Sequence, residues 1–324
     1  MDYIFVIAGL ALLSIGGEGL VRGSIVISRK LGISAILIGV VVVGFGTSAP
    51  ELLVSVQAIL DDKPDIAIGN VVGSNIANIL LILGVAALIG IVKCEDKAIL
   101  RDALAVLAAS IFLIIIAPLG EITRYTGGFM MLALIGYLVF SYRAEKRDKM
   151  LKTTKNGGTV HESEAKEYEN IKLGMLPAIL FIFVGIGMLV FGADILVEGA
   201  TNIAKAFGIS EAVIGLSLVA LGTSLPELAT AVAASLRKHT DVIIGAVLGS
   251  SLFNILSILG ITAMIKPIPV SRRIAEFDMV IMLNVIIVAV LIIWKFRHFE
   301  RLTGTFFISA YITYMAWLYS TGAV

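Results

Sequence analysis

The chain is poor in the residues from which disulfide scaffolds, histidine metal centres and soluble surfaces are made. It holds one cysteine and three histidines in 324 residues. The lone Cys94 excludes an intramolecular disulfide framework, and one thiol cannot build a metal site by itself. His161, His239 and His298 fall in expected loops or at the ends of apolar runs. That leaves neither a nucleophile–base pair nor a histidine set for hydrolytic chemistry, so the chain is read as not an enzyme. Charged residues make up only 15% of the chain, against about 25% in ordinary soluble domains. A net charge of +1 gives no bias toward nucleic acid. The N-terminus carries Asp2 in place of a basic region, and no small-residue cleavage signal follows, so the first apolar stretch is expected to be a retained helix.

What the chain has in quantity is long apolar runs. Hydrophobic residues reach 58% and the mean hydropathy is +1.00. Runs such as YIFVIAGLALLSIGG, LAVLAASIFLIIIAPLG and MVIMLNVIIVAVLIIW suit a bilayer core about 30 Å thick. The expected class is an all-α polytopic membrane protein. Its ten transmembrane helices are expected near 3–28, 35–60, 66–92, 99–118 and 126–142, then 173–203, 211–236, 242–265, 277–296 and 303–320. A polar stretch over 143–172 separates residues 1–142 from residues 173–324 and reads as a solvated linker, too short for a folded domain.

The two halves repeat one another. GTSAPELLVSV, which contains Thr47, returns as GTSLPELATAV, which contains Thr223; GNVVGSNIANILLILG around Ser74 returns as GAVLGSSLFNILSILG around Ser250. Both blocks are offset by 176 positions, and at the same offset Gly16 falls on Gly192, Glu18 on Asp194 and Gly23 on Gly199. The last two spans of each half show no matching pattern and read as plain hydrophobic helices. Basic residues are also unevenly shared: Arg29, Lys30, Lys93, Lys97, Arg101, the middle loop, Arg237, Lys238, Lys295, Arg297 and Arg301 fall on one side of the expected topology. That side is expected to be cytoplasmic, with both termini outside; the minimal loop and the absence of a targeting segment favour a prokaryotic plasma membrane. Five spans per half is an odd number, so the second half enters upside down. The fold expected is therefore two inverted five-helix repeats with a site near the midplane where they meet.

Each repeat places a carboxylate in hydrocarbon, which is costly and by default marks function. Thr47 and Ser48 flank the helix face that carries Glu51. Pro50 cannot donate to the carbonyl of Gly46, and Gly44 and Gly46 loosen the same turn. The helix is expected to break there, freeing carbonyls just before the carboxylate. Thr223, Ser224, Pro226 and Glu227 repeat the arrangement. Ser74 and Asn78 share a helix face, as do Ser250 and Asn254. Taken singly these hydroxyls and carboxamides could be interhelical glue; their repetition favours ligands. Every candidate donor is a hard oxygen, suited to cations such as calcium. Two ionised glutamates close together are costly when bare. One divalent cation or several sodium ions could neutralise them, and an empty site would resist crossing, which yields exchange in place of a leak. A proton could also replace sodium, and a passive channel stays open as a reading. Glu18 and Arg22 are four apart and are expected to pair. Asp194 and Glu198, at the matching places, are expected to face water near the outer surface.

GTSAPE with GNVVGSNIAN, and GTSLPE with GAVLGSSLFN, resemble the two alpha-repeats of the calcium/cation antiporter superfamily, specifically the prokaryotic sodium/calcium exchangers. The resemblance covers essentially the whole chain. It implies a calcium site using the Glu51 and Glu227 carboxylates with the Thr47 and Thr223 carbonyls. Sodium sites are implied at Ser48, Ser74, Ser224, Ser250 and the carbonyls of Gly44 and Ala220, with Asn78 and Asn254 completing the middle. The implied partners are calcium and sodium ions and the lipid bilayer, with no cofactor and no obligatory protein partner. Two departures separate the copies: Ala246 stands opposite Asn70, and Ser251 opposite Asn75. Potassium-dependent relatives carry aspartate at the position of Asn254, which implies a potassium-independent exchanger here. Proton-coupled relatives carry a glutamate in a GNxxE pattern that neither copy shows. The middle loop is far shorter than the calcium-sensing domains of animal exchangers, so transport is expected to be constitutive.

Overall fold

A computed structural model describes residues 2–156, 174–207 and 220–320. The protein is mostly helical. In chain order the helices are α1 (Asp2–Leu31), α2 (Ala35–Thr47), α3 (Ala49–Leu60), α4 (Pro64–Ile89), α5 (Lys97–Leu119), α6 (Arg124–Asn156), α7 (Met175–Ala206), α8 (Ala220–Gly222), α9 (Leu225–Leu236), α10 (Thr240–Ile265), α11 (Ile274–Lys295) and α12 (Arg301–Ser320). Their starts follow local rules. The Ser34 hydroxyl accepts from the Leu37 amide at 3.1 Å to open α2, and the Asp96 carboxylate accepts from Ala98 at 2.8 Å to open α5.

Among the described residues, seven helices are long and apolar enough to cross a membrane, and the bent pair α2–α3 makes eight. This differs from the ten expected, for physical reasons that are local. A 44° bend at Ser48 divides the second span. The expected span over 211–236 is described only from Ala220 onward, leaving the 12-residue α9. The 20-residue α12 carries Thr303, Thr305, Ser309, Tyr311, Thr313 and Tyr314 and is less apolar than the seven. The fifth span also continues as helix past the expected boundary at 142, to Asn156. The remainder of the expected linker, with His161, lies outside the described residues.

The repeat is visible in the backbone. Helices α3 and α9, and the segments Pro64–Ala77 and Thr240–Phe253, have bounds that differ by the same 176 positions. So do two wider π-helical turns, Asn78–Ile82 and Asn254–Ile258, a distortion often found at functional sites. Four short strands, β1 (Val92–Lys93), β2 (Glu121–Ile122), β3 (Ile268–Pro269) and β4 (His298–Phe299), pair antiparallel as β1 with β4 and β2 with β3. Each pairing joins one half to the other, and exchanging the halves turns one pairing into the other.

Helix α1 and its counterpart α7 lie antiparallel along their length. A Cβ on Gly16 would stand 2.8 Å from the Gly185 carbonyl oxygen, and one on Gly185 the same distance from that of Gly16. Only glycine at both places allows this approach, the means by which membrane helices gain contact where lipid offers no hydrophobic drive. The motif-bearing α10 and α4 form the centre: 100% and 72% of their apolar windows are buried, against 39% for α1 and 28% for α7. Helices α6 and α12 pack on α10 and α4 from outside, again as an exchange-related pair.

Candidate functional site

The break in the α2–α3 span sets the position of the first carboxylate. Ser48 leaves helical geometry at φ −82°, ψ 8°, Pro50 lies in the first turn of α3, and Glu51 follows one residue later. Ser224 repeats this at φ −91°, ψ 3°, with Pro226 and Glu227 in the first turn of α9. Proline suits a first helical turn because its missing N–H is not needed there. Both carboxylates are therefore carried on fresh helix starts, at the end where unpaired amides favour negative charge. Glu51 is 1% exposed and Glu227 6%.

The halves reach into each other. Ser48 Oγ donates to Glu227 Oε1 at 3.2 Å, and Ser224 Oγ is 3.5 Å from Glu51 Oε1. Ser250 Oγ lies 3.4 Å from Glu227 Oε1 and 3.1 Å from the Gly44 carbonyl oxygen. Thr47 Oγ1 donates to Val43 O at 2.9 Å and stands 3.5 Å from Ser250 Oγ. The close approach of α2 to α10 needs Gly44, where a Cβ would fall 2.7 Å from the Ser250 nitrogen. Thr47, Ser48, Glu51, Gly44, Ser224, Glu227 and Ser250 are thus brought together. Ser74, Asn78 and Asn254 are buried on α4 and α10, 5%, 1% and 1% exposed. The half-buried Thr223 directly precedes Ser224, and Ala220 begins the one-turn helix α8.

The remaining polar atoms carry chemical information. Glu51 Oε2, Glu227 Oε2 and both carboxamide atoms of Asn78 and of Asn254 are buried without a hydrogen-bond partner among the described residues. Leaving such a group unsatisfied costs about 1–3 kcal/mol, more when it is charged. No ion pair among the described residues reaches either glutamate, and no group of three histidine, cysteine, aspartate or glutamate side chains comes together. What the arrangement offers is two carboxylates with neutral hydroxyl oxygens against them and the Gly44 carbonyl alongside, while the partnerless carboxamides of Asn78 and Asn254 lie buried on α4 and α10. That set can bind hard cations, and the same oxygens can be shared by different cations.

Several residues escaped the sequence reading. Asn70 Nδ2 donates to the Glu51 carbonyl oxygen at 3.0 Å and to Ser55 Oγ at 2.9 Å, so it ties the first turn of α3 to α4. The matching places in the second half hold Ala246 and Ala231, and that contrast was the available signal. The outer spans are also not plain. Buried Asp102 on α5 accepts from Arg101 Nε at 2.7 Å and from the Tyr137 hydroxyl on α6. In the second half, Asp278 on α11 accepts from the Tyr314 hydroxyl on α12 at 3.1 Å. Asp102 and Asp278 stand 176 positions apart, whereas Tyr137 and Tyr314 stand 177 apart, and this slip hid the match. The expected Glu18–Arg22 pair forms, and Arg237 joins it from the second half. Asp194 and Glu198 are exposed.

The fold and this oxygen-lined site define a membrane protein that handles cations. The profile of the family described as sodium/calcium exchanger protein matches residues 1–143 and 177–320. The inner membrane protein YrbG of Escherichia coli (strain K12) is 33% identical over 316 residues, covering 97% of this chain and 95% of that protein. The sodium/calcium exchanger MaX1 of Methanosarcina acetivorans is 30% identical, covering 98% and 99%. The solved structure of the sodium–calcium exchanger NCX_Mj, soaked with zero Na+ and Ca2+, aligns with a TM-score of 0.82 at 29% identity over 98% of both chains. This chain belongs to the sodium/calcium exchanger family, in its prokaryotic form. It is a membrane-embedded cation antiporter of a family of transporters, not of catalysts, whose members move sodium and calcium.

Proposed function

We propose that this protein exchanges sodium for calcium across a cell membrane by alternating access, without potassium. The observation that carries the reading is the crossed pair of contacts, Ser48 to Glu227 and Ser224 to Glu51, which bring two buried carboxylates from opposite halves into one oxygen cluster. In this reading Glu51 and Glu227 hold calcium with the carbonyls of Thr47 and Thr223. Sodium ions occupy flanking positions served by Ser48, Ser74, Ser224, Ser250 and the carbonyls of Gly44 and Ala220. Asn78 and Asn254 turn their carboxamide oxygens toward the middle. Calcium takes about six to eight oxygens, more than two carboxylates supply, which accounts for the ring of neutral donors.

Exchange follows from charge. Two carboxylates of the same sign in a low-dielectric interior are costly with no cation between them, so the bare site does not cross. Calcium or a set of sodium ions removes that cost, and occupancy by one excludes the other. The antiparallel α1–α7 pair and the exchange-related strand pairings support ten helices in two inverted repeats that rock about a fixed site. The distribution of lysine and arginine supports a cytoplasmic middle loop and outward termini.

The test is uptake of radioactive calcium into proteoliposomes loaded with sodium, beside vesicles loaded with potassium. Uptake that requires internal sodium supports the reading. Uptake that ignores sodium and follows an imposed pH gradient replaces it with proton coupling, and absence of uptake under any gradient removes calcium as the substrate.

A further inference from the structure

The two ends of the molecule carry opposite charge at matching places of the repeat. On α1, Glu18 pairs with Arg22 of its own helix and with Arg237 at the end of α9. Arg237 grips it with both arms, Nη2 at 2.6 Å from Oε1 and Nε at 3.3 Å from Oε2. This is the two-pronged geometry that makes arginine–carboxylate pairs directional. The Glu18 side chain is only 27% exposed. Beside it α1 crosses α9 closely: a Cβ on Gly17 would lie 3.1 Å from the Ala229 carbonyl oxygen. The end of α9 is also pinned to the core, where Ser235 Oγ donates to Ala86 O at 3.1 Å. Ten residues separate Glu227 from Arg237, about 15 Å of helix, so the triad sits at a mouth of the passage and not in the ion site.

At the 176-residue offset Glu18 becomes Asp194, Arg22 becomes Glu198, and Arg237 answers to Asp61. One acid with two bases is replaced by three acids. A motion in which the halves exchange roles brings Asp194 toward Asp61, where like charges repel.

We propose that Glu18, Arg22 and Arg237 form a latch that shuts the Arg237 mouth in this conformation, and that the acids at the matching places cannot form the same latch. The ion pair beside Asp61, Lys266 with Asp62, joins the ends of α10 and α3 and does not involve Asp194 or Glu198 of α7. The exchanger therefore rests with the Arg237 end closed. The idea rests on the alternating-access reading above, and its test needs no transport.

Hydrogen–deuterium exchange of the purified full-length protein reads the mouth directly, at the amides of residues 14–22 and 231–237. Glu18→Gln and Arg237→Gln are each expected to speed exchange there about threefold to tenfold, as for loss of a partly buried ion pair. Residues 57–63 and 190–198 should keep their protection. The reversed pair, Glu18→Arg with Arg237→Glu, should restore slow exchange, since the carboxylate then carried at the end of α9 can serve both arginines of α1. Asp61→Arg, which gives Asp194 a partner, should raise exchange at 231–237 by drawing the molecule toward the opposite conformation. Unchanged exchange at the Arg237 mouth in both single variants overturns the latch. So does equal acceleration at both ends, which marks general loosening. If calcium transport fails while these shifts appear, the transport reading falls and the latch stands; the converse result removes only the latch.

Discussion

The two halves of this protein are closely matched around the two buried carboxylates of the candidate site and dissimilar where they support it. Around Glu51 and Glu227 the break, the proline, the preceding serine and the next helix start recur at one offset, down to backbone angles of φ −82°, ψ 8° at Ser48 and φ −91°, ψ 3° at Ser224. Away from the site the copies diverge. Asn70 braces the Glu51 turn, whereas Ala246 leaves the Glu227 turn without that brace. Asp102 is held by both an arginine and a tyrosine, while Asp278 has Tyr314 as its hydrogen-bonding partner. In the proposed reading a shared ion site constrains both halves to the same donors, because an ion at the interface would be bound by both at once. The Asp–Tyr struts serve one half each and are free to differ.

The largest expected effect tests the symmetry of the site. Glu51→Gln and Glu227→Gln should each reduce sodium-dependent calcium uptake by about a hundredfold or more, since either change leaves a divalent ion short of one charge. A large difference between the two would break the equivalence of the halves.

Next comes the asymmetry of the struts. Asp102→Ala strands Arg101 and the Tyr137 hydroxyl in a buried setting and should cost about 3 kcal/mol. Asp278→Ala strands mainly the Tyr314 hydroxyl and should cost about 1–2 kcal/mol. Apparent melting temperatures in detergent should rank the two variants in that order.

The crossed serines should give smaller and matched effects. Ser48→Ala and Ser224→Ala each remove one hydroxyl from the carboxylate of the other half. About 1 kcal/mol apiece, or roughly fivefold in apparent cation affinity, is expected. Direct calcium titration of each variant measures it. The smallest effect concerns the brace: Asn70→Ala should lower stability by about 1 kcal/mol, and Ala246→Asn should return less than that, since Ala231 offers no hydroxyl where the first half has Ser55 and only the Glu227 carbonyl is left to accept. Thermal melting of the two variants checks this.

Much of the architecture was legible in the sequence because it depends on local rules. Apolar length placed the spans, and most helices fall within a few residues of their expected bounds. Proline with two neighbouring glycines foretold the break before Glu51, and the repeat offset paired the site residues before any geometry was known. Distant pairings could not be read in this way. Arg237 meets Glu18 across 219 positions, and no periodicity links them. The Asp–Tyr struts join neighbouring spans, and a one-residue slip between copies concealed their recurrence. The helical extension to Asn156 lies in polar sequence that hydropathy assigns to a loop. The bend at Ser48 and the polar residues of α12 likewise make a hydropathy count of spans differ from a count of helices.

The central claim is that one pair of carboxylates serves calcium and sodium in turn. Its most direct measurement is equilibrium calcium binding to the purified protein at rising sodium, with ionic strength held constant by choline. The account expects the apparent calcium Kd to climb steadily with sodium, and binding to vanish when Glu51 and Glu227 are both glutamine. A calcium affinity indifferent to sodium, or calcium binding that survives the double substitution, would contradict it.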